Sequence, residues 1–266
     1  MVFIQKTGTG VRGYLGVHGW AGDHRTFAPL SSLLPEGECL YALDLPGWGK
    51  SPAPVKWDLD EYAAALQEAV NMTGLDEITL IGYCGGANLC LEALLRGLTP
   101  VRRLVMIDPF AFAPWYLALF TWGEFGRRAY YATFANSTGR WIANAALRKK
   151  RKRGRDMTRS FVNINHDAAL RFLRMLCETK DLRCFRGLEV DVDIAYGANT
   201  FAAVKKGMAI WREIFPRAGI FELAGAGHEP LREVTTQLAD IIFQSSSTAA
   251  GNPAPRETPP ALTWKG

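Results

Sequence analysis

Short apolar runs alternate along this chain with stretches whose apolar residues recur at helical spacing. The runs predict strands near 2–6, 13–18, 38–43, 77–82, 101–107, 190–196 and 218–223. The periodic stretches predict helices near 26–33, 59–72, 85–97, 202–213 and 229–244. In the second helix Tyr62, Leu66 and Val70 share a face, and Asp58 or Asp60 stands where an N-cap is needed. Strands that alternate with helices favour a mostly parallel, doubly wound sheet covered on both faces. The predicted fold class is therefore α/β.

Residues 110–187 break this rhythm, and aromatic residues crowd their first half, from Phe110 to Trp141. The break divides the core into 1–109 and 188–245, with 110–187 as an insertion. From Ser245 the composition turns to Ser, Thr, Ala, Gly and Pro, so 246–266 reads as a disordered tail without a catalytic role.

A chain of 266 residues can bury one full core and carry such an insertion. Its net charge of +5 suggests a basic protein, but seven of the positive charges lie between Arg148 and Arg155. Without that run the remainder is mildly acidic, which argues against a uniformly basic nucleic-acid binder. The five cysteines are an odd number without disulfide-like spacing, and no apolar leader or span of the necessary ~20 residues is seen. These features predict a reducing, cytoplasmic setting.

The chemistry concentrates at Gly82-Tyr83-Cys84-Gly85-Gly86, between an apolar strand and a helical pattern. Gly-x-Cys-x-Gly has the spacing of a nucleophile elbow, in which a strained turn exposes the central side chain and its neighbours must be small. A helix starting just after Cys84 would place positive partial charge near its sulfur, which favours the thiolate. The ordinary alternatives are a phosphate-binding turn or a small buried cysteine. Three further motifs follow in a consistent order: Val17-His18-Gly19-Trp20, Asp44-Leu45-Pro46-Gly47-Trp48-Gly49-Lys50-Ser51, and Gly225-Ala226-Gly227-His228.

Together these motifs resemble the α/β-hydrolase superfamily over roughly residues 2–245. The Cys-centred elbow is similar to those of dienelactone hydrolases and polyhydroxyalkanoate synthases. The resemblance implies that 110–187 is a helical cap over the active site, with Trp115, Tyr116 and Phe120 as candidates to line an acyl pocket. It also implies that the first strand of the fold is curtailed, because His18 comes early. Cys84 is then the candidate nucleophile and His228 the candidate base. His18 resembles the structural His-Gly of the superfamily, His24 falls at the approach to the first helix, and His166 in the cap. Backbone N–H groups of Trp20 and Gly85 are the candidate oxyanion donors. The segment Asp44–Ser51 is expected to be architectural.

The acid is less direct. The superfamily usually places it three residues beyond a glycine after the strand near 190–196, where this chain has Thr200. Haloalkane dehalogenases place it one strand earlier, where Asp108 stands. Asp108 also suits a simple turn before Pro109, and Asn199 is a second group able to orient an imidazole. Asp191 and Asp193 lie too early along their strand.

These residues imply cleavage of an ester, thioester or lactone of a hydrophobic acyl compound through a Cys-bound acyl intermediate. An acyltransferase or condensing enzyme on the same residues, or a non-catalytic binding protein, are the alternatives. No metal motif and no Gly-x-Gly-x-x-Gly opening the first helix is seen, so no metal or dinucleotide cofactor is implied. The basic run 148–155 is a solvated loop in the ordinary reading. Alternatively it holds the phosphates of coenzyme A, an acyl carrier protein or an anionic membrane surface.

Overall fold

The computed structural model describes residues 1–150, 156–178 and 181–244. Seven strands form one sheet: β1 (Phe3–Gly8), β2 (Arg12–Val17), β3 (Glu38–Asp44), β4 (Ile78–Tyr83), β5 (Val101–Ile107), β6 (Asp191–Gly197) and β7 (Gly219–Leu223). Their order is β1-β3-β2-β4-β5-β6-β7, parallel throughout except for β1, which runs antiparallel to β3. Each strand coincides with a predicted apolar run.

Because both sheet faces are covered, the strands bury residues of both parities. On β5, Leu104 and Met106 enter one apolar cluster and Val105 and Ile107 the other. The first cluster takes Tyr62, Leu66 and Val70 from α1 (Leu59–Thr73) and Leu89 from α2 (Gly85–Leu95). The cap helices α3 (Trp115–Ala118), α4 (Gly123–Tyr130), α5 (Ser137–Ala146) and α6 (His166–Leu176) follow β5, and α7 (Ala202–Ile214) adds Val204 and Trp211 to the same cluster. Two C-terminal helices come last, α8 (Pro230–Glu233) and α9 (Thr235–Gln244). The second cluster is closed by Leu238 and Ile242 of α9 and by Phe27 and Leu30.

Local chemistry sets the helix boundaries. Asp58, rather than Asp60, caps α1 by accepting from Glu61 N at 2.9 Å, and Gly74 ends it at φ 66°. The helix predicted near 26–33 is a 3-10 helix over His24–Leu33; in an α-helix the ring of Pro29 would crowd the carbonyl of Arg25. The helix predicted near 229–244 is broken at Val234, whose φ of −140° is not helical.

Asp193 is structural, as its early position on β6 suggested. It pairs with the buried Arg103 at 2.7 Å, and Arg103 also donates to the carbonyls of Ile241 and Ile242 near the end of α9. A guanidinium there satisfies helix-terminal carbonyls and opposes the negative end of the dipole. Among the described residues no helix is long and apolar enough to cross a membrane. The proposed tail, 246–266, and all but the start of the basic run 148–155 lie outside the described residues.

Candidate active site

β4 delivers Cys84 to the C-terminal edge of the sheet, and α2 starts at the next residue. Cys84 has φ 53° and ψ −121°, a conformation that costs a non-glycine residue energy and persists only when its surroundings enforce it. The enforcing bonds run from Cys84 N to Ile107 O at 2.8 Å and from Ala87 N to Cys84 O at 3.1 Å. The flanking glycines are required by space. A Cβ on Gly82 would lie 2.4 Å from Ala87 Cα, and one on Gly86 would lie 2.2 Å from Val17 O.

Gly85 opens α2, so its N–H has no acceptor within the helix. The turn carrying Trp20 packs directly on the elbow, since a Cβ on Gly19 would meet Cys84 Cβ at 2.9 Å. Both candidate oxyanion donors therefore belong to segments that flank Cys84. His18 is buried beneath them. Its Nε2 accepts from Leu45 N at 3.1 Å, so Nδ1 carries the proton and donates to Gly19 O at 2.8 Å. Burial lowers its pKa, consistent with a neutral, structural histidine.

His228 lies in the loop after β7, largely buried. Its carbonyl accepts from Tyr83 Oη at 2.6 Å, and the preceding Gly227 N donates to Glu233 at 2.6 Å. The rings of Phe201 and Phe110 stand edge-on to the imidazole at 4.7 and 5.7 Å. Burial by itself lowers the His228 pKa, but the hydrogen-bonded Asp108 and the nearby Cys84 outweigh it and push the group up to about 10. His24 instead braces Asp44 at 2.9 Å, and His166 meets Tyr130 in the cap at 3.1 Å.

Asp108 follows β5 with φ 50° and is fully buried. Its Oδ2 is 2.6 Å from His228 Nδ1, and its Oδ1 accepts from Gly197 N at 2.8 Å. Thr200 donates its hydroxyl to the same Oδ2. Thr200 thus occupies the position expected for the acid and hydrogen-bonds the carboxylate that stands one strand away. Asn199 is exposed, and its backbone N–H is taken by Ala226 O at 2.8 Å, so the structure does not bring its side chain to the imidazole.

A cavity of about 70 Å3 opens beside Cys84. Trp20, Phe110, Phe112 and Leu117 line it, with Leu173 and Leu176 of α6 as its roof. The roof is tied down by Trp20 Nε1 donating to Ala169 O at 2.9 Å. None of the three aromatic residues expected to line a pocket, Trp115, Tyr116 and Phe120, is in the cavity wall. Tyr116 packs 6.4 Å from the Phe201 ring, and burial and the charge of Cys84 raise its hydroxyl pKa. Trp115 points outward, and Phe120 packs on Tyr130 and Phe134 at 6.2 and 5.4 Å, because the cap needs a core of its own. Aromatic enrichment alone could not separate these fates, and it hid Phe110, Leu173 and Leu176.

Cys177 also lines the cavity, but burial pushes its thiol up to about 11, which keeps it protonated at neutral pH. Among the described residues Asp23, His24 and Asp44 bring three possible metal-ligating atoms within 4.8 Å of one another. Asp44 is already committed to His24 and to Lys50 N at 2.8 Å, the bracing of a turn, in line with the architectural expectation for this segment.

An elbow at a parallel strand end, with a histidine and a buried carboxylate converging on it, defines an α/β-hydrolase scaffold. The chain belongs to the alpha/beta hydrolase fold family, whose model matches residues 15–233. It is 31% identical over 108 residues to a serine hydrolase-like protein of Danio rerio, covering 39% of this chain and 32% of that protein. It is 33% identical over 94 residues to a 2-hydroxy-6-oxononadienedioate/2-hydroxy-6-oxononatrienedioate hydrolase of Klebsiella pneumoniae subsp. pneumoniae, 35% of this chain and 32% of that one. The match thus spans about a third of the length of these curated relatives. In three dimensions it resembles a thermophilic esterase from Thermogutta terrifontis, with a TM-score of 0.76 at 17% identity over 93% of both chains. At that identity the likeness establishes the fold.

Proposed function

We propose that this protein is a hydrolase that cleaves an ester, thioester or lactone through an acyl group carried on Cys84. His228 holds the proton withdrawn from the Cys84 thiol and passes it to the leaving group, and Asp108 holds the imidazole and its charge. The backbone N–H groups of Gly85 and Trp20 receive the oxyanion. The observation that carries this reading is the 2.6 Å contact between His228 and the buried Asp108, on an imidazole whose pKa the nearby Cys84 helps to raise. Relatives named as hydrolases support the reaction class. The likeness to dienelactone hydrolases and polyhydroxyalkanoate synthases rests on the elbow sequence.

The cavity also bears on the substrate. Its volume of about 70 Å3 is far below the roughly 300–1,000 Å3 of ligand pockets that hold drug-sized molecules. A short acyl group fits it as it stands, and a longer one enters when α6 moves. The apolar lining favours a second outcome for the intermediate, transfer to an alcohol, amine or thiol in place of water.

The test is intact-protein mass after exposure to activated acyl esters and thioesters, for wild type and Cys84→Ala. The expected result is an acyl mass gain that the variant lacks. An equal gain in the variant, or turnover undiminished by it, refutes the reading. Added acceptors then divide hydrolysis from transfer.

A further inference from the structure

The cap exposes its aromatic residues in a way the core does not. Trp115, Trp122, Phe125 and Trp141 are 77%, 64%, 67% and 72% accessible, and all four lie between β5 and α6. Helix α5 shows the pattern most clearly, because its amphipathicity is inverted. Its inward side carries Arg140, which donates to Phe134 O at 2.9 Å, and Asn144, which accepts from Met157 N at 3.1 Å. Its outward positions are Thr138, Trp141, Ile142 and Ala145, at the spacing of one helical stripe, and all are exposed. The polar side is committed to the cap, so the helix cannot bury Trp141 and Ile142 by rotating.

The charge of the surrounding cap is mixed, with Glu124, Asp156 and Asp167 exposed and Arg127 lying 3.7 Å from Asp167, but cations are in excess. Arg127 and Arg128 are exposed on α4, and Arg148 is exposed just beyond α5. In sequence, Arg148 begins the run of seven cations that ends at Arg155. The stripe itself carries no charge and, apart from the Thr138 hydroxyl, no side-chain group suited to directional recognition except the indole N–H. Trp is the residue that settles at a bilayer interface with its ring among the acyl chains and its N–H at headgroup level. Apolar anchors flanked by Arg and Lys match an anionic lipid surface, where cations stay with the phosphates and nothing directional is needed.

We propose that the cap, through Trp141 and Ile142 of α5 with Trp122 and Phe125 at the start of α4, docks on an anionic phospholipid surface. This surface goes beyond the acyl chemistry at Cys84 and does not depend on it. Docking there would bring the cap, whose α6 roofs the Cys84 cavity, against the membrane.

The experiment is sedimentation of the full chain with vesicles of phosphatidylcholine alone and of phosphatidylcholine mixed with phosphatidylglycerol. Binding to the mixed vesicles is expected, with little to the neutral ones and a decline as salt is added. The double substitution Trp141→Ser, Ile142→Ser is expected to weaken binding roughly tenfold or more, the loss of two buried apolar anchors. Its thermal midpoint and its Cys84 acylation in solution should match wild type. Trp122→Ser with Phe125→Ser gives an independent variant on a different helix. No sedimentation with mixed vesicles, or equal binding by both double variants, overturns the proposal. So does light scattering that shows a dimer dispersed by Trp141→Ser, Ile142→Ser, since the face would then be covered by a second copy. Vesicle binding by Cys84→Ala, expected to be unchanged, keeps this result separate from the fate of the catalytic reading.

Discussion

Asp108→Asn is the sharpest perturbation of the site, because the structure dictates which way the amide must turn. Asp108 Oδ1 accepts from Gly197 N at 2.8 Å. An amide NH2 cannot accept that bond, so the asparagine oxygen must take the Oδ1 position. Its NH2 then faces His228 Nδ1, which in the wild type lies 2.6 Å from Oδ2. Two donors cannot share that contact. The imidazole must therefore accept at Nδ1 and carry its proton on Nε2, toward Cys84, where it can no longer take the thiol proton. Thr200 can rotate its hydroxyl to accept from the new NH2, so the fold should survive. In enzymes with this arrangement, setting the wrong tautomer costs about ten-thousand-fold, or about 5.5 kcal/mol of transition-state stabilisation. The assay is the burst of nitrophenolate from an activated ester, with thermal unfolding to verify the fold. A burst rate within roughly tenfold of wild type would show that Asp108 does not orient His228.

Four further outcomes are expected. Thr200→Val removes one donor to Asp108 and should cost about 1 kcal/mol, a few-fold in acylation rate, with the pH profile retained; an unchanged rate would make Thr200 passive. The His228 pKa is raised from 6.5 to about 10, so the stability contributed by its charge is fully present below 6.5 and is lost as pH rises through about 10. Wild type should therefore lose thermal stability over that window, and Cys84→Ala, lacking one of the groups that raise the pKa, should lose less; equal slopes would contradict the pairing. Gly86→Ala sets a Cβ 2.2 Å from Val17 O and should destabilise the protein by about 1–3 kcal/mol or more in urea unfolding, a cost that a merely flexible glycine would not show. Arg103→Met leaves the part-buried Asp193 and the carbonyls of Ile241 and Ile242 without their partner and should cost about 2–4 kcal/mol, whereas Asp193→Asn with Arg103→Met should recover part of it.

How much of this was legible in the sequence varies with the range of the cause. The seven strands were, because each is a short apolar run closed by turn residues. The placement of Cys84 at a strand end and of His228 in a late loop was, because an elbow and a Gly-rich turn are local patterns. The 3-10 character of His24–Leu33 was available in Pro29 but was outweighed by the apolar period. The cavity wall was not legible. Phe110, Phe120 and Trp115 have similar composition around them, yet one lines the cavity, one packs against Tyr130 and one faces outward. Those fates depend on where α6 lands, and no local pattern carries that.

The acid shows why two readings of one site stayed close. β5 and β6 are adjacent and parallel, with Ile107 paired to Ala195. The residues just beyond them therefore emerge side by side at the same edge of the sheet, within reach of the same imidazole. Thr200 Oγ1 lies 3.5 Å from His228 Nδ1 while Asp108 Oδ2 lies 2.6 Å from it. A carboxylate at either strand end could meet the same histidine, so strand order alone does not choose between them. The choice is made by side chains: a carboxylate on β5 needs a donor, not a second acid, across from it. Thr200 supplies that donor, and the residue that weakened the case for a triad in sequence is the one that completes the environment of Asp108 in the fold.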